Sequence, residues 1–144
     1  MAARWLVALG ALLLLAPAAA AADARPGADE AAWRSECGAC HLAYPAALLT
    51  ADAWRRLMAG LPRHFGSDAS VEAATAEAIT RYLVADAGPG SAGDSEEPPR
   101  ITATDWFVRK HGGAMRLWRK GKIKSLSDCA VCHKGPEIEH MSGR

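Results

Sequence analysis

The sequence predicts an all-α fold with little or no sheet, and three observations lead to this prediction. Apolar side chains recur at helical spacing, and the clearest stripe, at i, i+3, i+4 and i+7, is formed by Trp54, Leu57, Met58 and Leu61. No run of five or more residues alternates apolar and polar side chains as a half-buried strand does. Residues 87–99 contain three glycines, three prolines and three acidic residues, a composition that predicts a linker between two helical parts.

Three helices are predicted before this linker. The first spans residues 28–41 and has Trp33 as an apolar anchor. The second follows Thr50, whose hydroxyl suits an N-cap, and ends at Pro62. The third spans residues 70–85, and its inner face consists of Val71, Thr75, Ala78, Ile79, Tyr82 and Leu83.

The part after the linker is predicted to contain short helical pieces. Thr104 is the expected cap of a helix over residues 105–110, which delivers His111 just before two glycines. Further helical turns are expected at 115–118 and 129–133. The two parts share no repeat beyond a five-residue motif, so a simple duplication is not indicated.

That motif is CxxCH, which occurs at residues 37–41 and 129–133 and uses all four cysteines of the chain. CxxCH is the attachment sequence of c-type haem. Two thiols bond to the vinyl groups of one porphyrin and the next histidine binds the iron, because positions i, i+3 and i+4 share one face of a helical turn. The sequence therefore predicts two covalently bound haem c groups, attached at Cys37, Cys40, Cys129 and Cys132, with His41 and His133 as the proximal iron ligands.

Three other uses of these cysteines explain the pattern less well. Zinc-binding pairs usually lie within about 12 to 20 residues of each other, whereas 88 residues separate Cys40 from Cys129. A dithiol redox site would need a βαβ context that the chain lacks. Structural disulfides suit an exported protein but leave the two histidines unexplained.

The first 22 residues are typical of a secretory signal peptide. Arg4 precedes an apolar run rich in leucine, and Ala20, Ala21 and Ala22 offer a small-residue cleavage site. An uncleaved anchor is the alternative, but the apolar run is short for a membrane span of about 20 residues. Cleavage after Ala22 would leave 144 − 22 = 122 residues, without stable membrane insertion. Covalent haem fits this, and the expected location is the periplasm.

Charge gives a weaker indication. Without Arg4 the chain has 16 basic and 16 acidic side chains, so the mature polypeptide is nearly neutral. Nucleic-acid binding is not indicated. Haem carboxylates would make the loaded protein mildly acidic, which is compatible with a redox partner that has a basic docking patch.

Two histidines outside the motifs are the strongest candidates for the distal iron ligands. His64 lies 23 residues after His41, and His111 lies 22 residues before His133. Each stands at a predicted helix end beside aromatic residues and glycine. Local pairing, His64 with the first haem and His111 with the second, is the simpler arrangement, although crossed pairing stays open. The other candidates are Met58, Met115, His140 and Met141, of which Met115 is the best methionine.

Two bis-histidine irons would have a definite chemical consequence. Both axial positions would be filled, so no vacancy would remain for oxygen or peroxide, and imidazole in place of methionine lowers the reduction potential. Each motif is also followed by a nearby proline, Pro45 or Pro136. A carbonyl in either stretch could accept the proximal imidazole N–H, and an ordinary turn explains these prolines equally well.

The chain resembles a known family in the runs CGACHLAYPAALLTADAWRRLMAGLPRHFGSDAS, RYLVADA, ITATDWFVRKH and SLSDCAVCH. These resemble the small dihaem cytochromes c of proteobacteria over nearly all of residues 33–135. The resemblance implies a periplasmic electron carrier with bis-histidine haems, in which His64 and His111 are the distal ligands. It also implies two partners: an oxygen-binding monohaem cytochrome c and a membrane b-type cytochrome. The tail after Gly135 is short here, and residues 87–98 look longer and looser than in the family.

Together these observations predict a small helical c-type cytochrome with two haem-binding halves. The expected organisation is a signal peptide at 1–22, an N-terminal haem 1 half at 23–86, a linker at 87–99 and a C-terminal haem 2 half at 100–144. The predicted function is that of a soluble periplasmic one-electron carrier, not an enzyme, between a membrane-bound cytochrome and a soluble haem protein. The alternatives are the redox subunit of a periplasmic reductase, a peroxidase-like dihaem enzyme and, less favoured, a gas-binding haem sensor.

Overall fold

The computed structural model describes residues 26–90 and 92–134, so the predicted signal peptide lies outside the described residues. Within these ranges the chain is helical and contains no strand, which confirms the all-α prediction. None of the helices there has the length and apolar character needed to cross a membrane. The α-helices are α1 (Pro26–Cys37), α2 (Ala51–Ala59), α3 (Ala73–Ala85), α4 (Asp105–Lys110) and α5 (Gly112–Arg119).

Hydroxyl caps fix the starts of two helices where the sequence predicted them. The Thr50 hydroxyl oxygen accepts the Ala53 N–H at 3.2 Å and caps α2, and the Thr104 hydroxyl accepts the Phe107 N–H at 3.2 Å and caps α4. Helix α3 begins three residues later than predicted, because the Glu72 carboxylate accepts N–H groups of the first turn and so acts as the cap. Helix α5 extends the turn expected at 115–118 in both directions.

The hydrophobic core lies in the first half of the chain, where α3 packs against both α1 and α2. Ile79 and Leu83 of the predicted inner face of α3 are fully buried. The indole N–H of Trp54 donates to the Ala46 carbonyl at 2.7 Å, which satisfies a buried polar group inside this core. The buried members of the cluster are Trp33, Ala46, Leu49, Ala53, Trp54, Ile79 and Leu83.

The second half is built differently. Among the described residues after position 100, the only large apolar side chain in the buried core is that of Phe107, which is 4% exposed. Helix α4 contacts α5 and the 3₁₀ turn Ile101–Ala103. Ile101 itself packs against the core of the first half. The other apolar side chains here either line a cavity, as Trp106, Ile123 and Leu126 do, or are at least partly exposed.

The segment predicted as a linker is attached to the first half. The Gly88 N–H donates to the Leu49 carbonyl at 2.9 Å. The Asp94 carboxylate accepts the Thr50 N–H at 3.1 Å, at the start of α2, and the Arg56 guanidinium donates to the Asp94 carbonyl. The segment therefore lies along the N-terminal end of α2, and the division of the chain at 87–99 stays a prediction.

Candidate functional site

The first CxxCH motif begins where α1 ends. Cys37 is the last residue of the helix, and the Gly38 N–H still donates to the Arg34 carbonyl at 3.1 Å. A Cβ atom at Gly38 would lie 2.3 Å from that carbonyl oxygen. Only glycine fits this close turn, which lies where the sequence predicted continuous helix as far as His41. The prediction was wrong here, because the turn ends the helix and releases His41 from it.

His41 is oriented by its neighbour along the chain. Its Nδ1 lies 2.7 Å from the Leu42 carbonyl oxygen, so Nδ1 carries the proton and donates it, and Nε2 keeps a free lone pair. This carbonyl lies in the stretch before Pro45, where the sequence allows such an acceptor. The Tyr44 ring stacks on the imidazole, with centroids 4.8 Å apart. The ring of His41 is therefore held from two sides.

His64 faces His41 from the end of the 3₁₀ helix Leu61–Arg63. Its ring centroid lies 6.2 Å from that of His41, and the two planes differ by 21°. The turn that places it uses two residues with positive φ, Phe65 at 48° and Gly66 at 95°. Burial lowers the pKa of His64, and the nearby His41 lowers that pKa further. Both effects favour neutral imidazole, the form that binds a metal.

At the second CxxCH motif, too, a second histidine faces the motif histidine, but other elements position the two side chains. Cys129 starts the 3₁₀ helix Cys129–Val131, and the His133 N–H donates to the Cys129 carbonyl at 2.9 Å. His111 follows α4, and its Nδ1 lies 3.2 Å from the Phe107 carbonyl, to which it donates. The His111 ring also stacks on the Phe107 ring at 4.2 Å. His111 and His133 lie 6.0 Å apart, centroid to centroid.

These two separations can be compared with the requirement of a shared metal ion. An imidazole nitrogen binds a metal at about 2.0 Å and the ring centre lies about 1 Å further out, so two opposed ligands have centroids about 6 Å apart. The observed values are 6.2 Å and 6.0 Å. The structure thus brings together the residues of the local pairing, His41 with His64 and His133 with His111.

The protein offers each of these positions few ligands. Within residues 26–90 and 92–134, no group of three or more His, Cys, Asp or Glu side chains could hold a metal ion. A bare zinc ion needs about four protein ligands. A porphyrin supplies four nitrogens of its own and leaves two axial positions, which is what an opposed histidine pair can fill.

A cavity adjoins the second histidine pair and offers apolar walls to a bound group. It lies between α4, α5 and the Cys129 turn, and its walls are mainly apolar. The Trp106 indole nitrogen is buried and has no hydrogen-bond partner within the described part of the chain. A haem carboxylate is an acceptor that would satisfy it. The lining residues include Tyr44, Leu48, Ile101, Trp106, Phe107, His111, Ala114, Ile123, Leu126, Cys129, Cys132 and His133.

The thiols of the two motifs do not have the character of a dithiol redox site. Burial, with a smaller effect of Glu36, raises the pKa of Cys37 to about 11. Burial likewise raises the pKa of Cys129. Reactive redox cysteines need a lowered thiol pKa. All four cysteines are free of disulfide bonds in the structure and are available for thioether formation.

Tyr44 connects the two sites, a role that the sequence analysis missed. Its ring stacks on His41, and its hydroxyl donates to the Ser127 carbonyl at 2.5 Å, two residues before Cys129. Burial raises the pKa of Tyr44 to about 12, so the hydroxyl stays protonated and remains a donor. In the sequence, the only feature of residues 41–45 that predicts local structure after His41 is the proline at position 45. Nothing in the local pattern signals a partner 83 residues away.

The other candidate ligands lie elsewhere. Met58 packs against the first-half core, as predicted from its position on the apolar stripe. Met115 is in α5 and does not line the cavity. His140 and Met141 are outside the described residues.

The helical fold and the two CxxCH motifs, each with a second histidine opposite its own, define a c-type cytochrome. The chain belongs to the dihaem cytochrome c family, whose model matches residues 33–140. The resemblance stated from the sequence is thereby confirmed, and with it the dihaem class of cytochrome. Comparison with curated proteins finds no match.

Solved structures of two organisms agree with this assignment. The crystal structure of DHC purified from Rhodobacter sphaeroides is 48% identical, with a TM-score of 0.62, and the match covers 74% of this chain and 92% of that one. A diheme cytochrome c from Rhodobacter sphaeroides is 43% identical over 77% and 94% of the two chains, with a TM-score of 0.64. The diheme cytochrome type c from Shewanella baltica is 39% identical over 73% and 80%, with a TM-score of 0.61.

Proposed function

We propose that the protein is a periplasmic one-electron carrier with two bis-histidine haem c groups. The observation that carries this proposal is the pair of opposed imidazoles beside each attachment motif, at 6.2 Å and 6.0 Å. His41 and His64 hold the first iron, and His133 and His111 hold the second. Cys37, Cys40, Cys129 and Cys132 bind the two porphyrins through thioethers.

A bound haem c supplies an iron that exchanges one electron between the ferric and ferrous states. Two histidines of this chain would hold each iron, which would leave no coordination site for a substrate. This favours a carrier over a reductase subunit, a peroxidase-like enzyme or a gas sensor, each of which needs an iron that can open. Membership of the dihaem cytochrome c family supports the same function.

The backbone carbonyls of Leu42 and Phe107 tune these ligands. Each accepts the Nδ1–H of a histidine and fixes which nitrogen is free. A hydrogen bond of this kind raises the basicity of the ligating nitrogen. More basic axial ligands stabilise the ferric state, and we therefore propose low reduction potentials for both haems.

The proposed location and partners follow from the sequence. The signal-like first 22 residues and the covalent haem attachment support export to the periplasm, with cleavage of the signal peptide. We propose an oxygen-binding monohaem cytochrome c as the soluble partner and a membrane b-type cytochrome as the other. These partners rest on the family resemblance.

Spectroscopy of the purified ferric holoprotein tests the ligand assignment. Electron paramagnetic resonance and near-infrared spectra should show two low-spin bis-histidine haems. His64→Ala and His111→Ala should each convert one haem to the high-spin state and leave the other unchanged. Met115→Leu is the matched control, and both haems should keep their spectra in this variant.

Two results would contradict the proposal. A high-spin haem in the unmodified protein at neutral pH would show an open iron. Carbon monoxide binding by the reduced, folded protein would favour an enzyme or a gas-binding module.

A further inference from the structure

Charge is distributed very unevenly along the described chain. Residues 26–105 contain twelve acidic and six basic side chains, a net charge of −6. Residues 106–134 contain one acidic and eight basic side chains, a net charge of +7. The net charge of the whole chain is close to zero and therefore does not reveal this uneven distribution.

The positive charge is concentrated on α5 and the loop that follows it. The side chains there are solvent-exposed, and none of the basic ones forms an ion pair with another described residue. Two large apolar side chains lie among them, Leu117 at 45% and Trp118 at 46% exposure. We call this surface the α5 face; it consists of Arg116, Leu117, Trp118, Arg119, Lys120, Lys122 and Lys124.

The α5 face adjoins the second histidine site. Ala114 of the same helix and Ile123 of the same loop line the cavity beside His111 and His133. A protein bound on the α5 face would therefore lie one layer of side chains from that cavity. Electron exchange needs a short distance between the two redox centres, and a partner bound here would lie close to the second haem site.

We propose that the α5 face docks an acidic redox protein and that electrons enter or leave the cytochrome there, at the second haem site. This inference rests on the proposed carrier function and adds the surface and the chemistry of the partner. An exposed tryptophan and leucine among cations that form no ion pair with a described residue match the arrangement of an apolar centre and a polar rim at transient interfaces. Tryptophan and arginine are also the residue types that most often dominate binding energy there. The lack of acidic residues makes the face attractive only to a negatively charged partner.

A protein fits this surface better than a lipid bilayer does. An interfacial helix binds membranes through a continuous apolar face. In α5 the exposed large apolar side chains are two, Leu117 and Trp118, which is too small an area for such a face. An anionic membrane is therefore the competing outcome of the test and not the proposal.

The test uses one redox protein in two charge states. Mitochondrial cytochrome c is basic, and succinylation of its lysines makes it acidic while it keeps its haem. Binding of each ferric form to the ferric holoprotein is measured by titration calorimetry, which requires no electron transfer. Stopped-flow oxidation of the reduced holoprotein by each form gives the electron-transfer rate.

Two charge-reversal variants serve as a matched pair. Lys122→Glu changes the α5 face, and Arg55→Glu makes the same change of net charge on an exposed position of α2. Reversing one charge at about 6 Å from a single acidic group in water changes an association constant about tenfold. We expect Lys122→Glu to weaken binding of the succinylated probe by about tenfold at low ionic strength and to slow its reaction similarly. Arg55→Glu should change either quantity by less than twofold, and salt should abolish the difference.

The outcomes separate this inference from the proposed function. If both variants weaken binding equally, or if the succinylated probe does not bind, the docking surface is wrong even when both haems are low-spin carriers. If the haems prove to be high-spin, the carrier function is wrong, and the calorimetry still decides the docking surface. Cosedimentation with phosphatidylglycerol vesicles that Lys122→Glu abolishes, without binding of the acidic probe, would overturn the protein partner in favour of a membrane.

Discussion

Replacing Tyr44 with phenylalanine tests the connection between the two haem-binding sites. The change removes one hydroxyl and keeps the ring that stacks on His41. The hydroxyl donates to the Ser127 carbonyl at 2.5 Å. One neutral hydrogen bond contributes about 0.5–1.5 kcal/mol to stability. Because Ser127 is exposed, water can replace the lost donor, so no further cost is expected. We therefore expect Tyr44→Phe to destabilise the holoprotein by about 1 kcal/mol.

Guanidinium unfolding of the holoprotein, followed by haem absorbance, measures this difference. In a thermal scan a loss of this size lowers the Tm by about 4–8 °C for a domain of about 100 residues. Tyr82→Phe is the matched control, because the Tyr82 ring packs on Trp33 and its hydroxyl makes no hydrogen bond within the described residues. Stabilities of the two variants that agree within about 0.3 kcal/mol would refute the connection through Tyr44.

Three further changes test other features of the fold and the sites. Gly88→Ala places a Cβ 2.0 Å from the Ala47 carbonyl oxygen and should lower the free energy of unfolding in urea by about 1–3 kcal/mol. Gly90→Ala is the control, because its Cβ meets only a methyl group at 3.4 Å and should lower this free energy far less. Equal effects of the two variants would contradict the attachment of this segment to the first half. Trp106→Phe removes a buried hydrogen-bond donor beside the second site. A redox titration should show a lower reduction potential for haem 2 alone. The decrease should be at most about 40 mV, which corresponds to one hydrogen bond of about 1 kcal/mol. A shift at haem 1 of equal size would show that the indole acts elsewhere. Joint replacement of Cys129 and Cys132 by alanine should make residues 109–124 rapidly cleaved by trypsin, while α3 stays protected; uniform protection would show that the second half folds without its haem.

Local signals in the sequence predicted the helices well, because their causes are local. Thr104 and the residues after it contain both the cap and the turn that it caps, and α4 has the predicted bounds. The CxxCH motifs likewise include their cysteines and histidine within five residues. The candidates for the distal ligands can be selected from a local signal, a helix end beside glycine. The structure places both of them, His64 and His111, opposite a motif histidine.

The predictions from sequence were wrong or incomplete where a feature depends on a residue far along the chain or on a close backbone contact. Helix α1 stops at Cys37 because Gly38 approaches the Arg34 carbonyl, a contact that composition does not reveal. The segment at 87–99 looks loose in sequence, since its prolines and glycines give no hint that Asp94 reaches the N-terminal end of α2. The role of Tyr44 depends on a partner 83 residues away. The net charge of the whole chain also gave a wrong indication, because the negative charge of residues 26–105 cancels the positive charge of residues 106–134.

The uneven placement of the hydrophobic core has a consequence for how the protein acquires its two cofactors. The first half brings its own buried cluster, with Trp33, Trp54 and Ile79 at its centre, whereas the second half has cavity walls where a core would be. We therefore expect the first half to fold around α3 without a cofactor, whereas the apolar walls of the cavity beside α4 and α5 would be covered only by the second porphyrin. We therefore expect a chain that lacks the second haem to be cut by proteases first in this half, where fewer apolar side chains are buried.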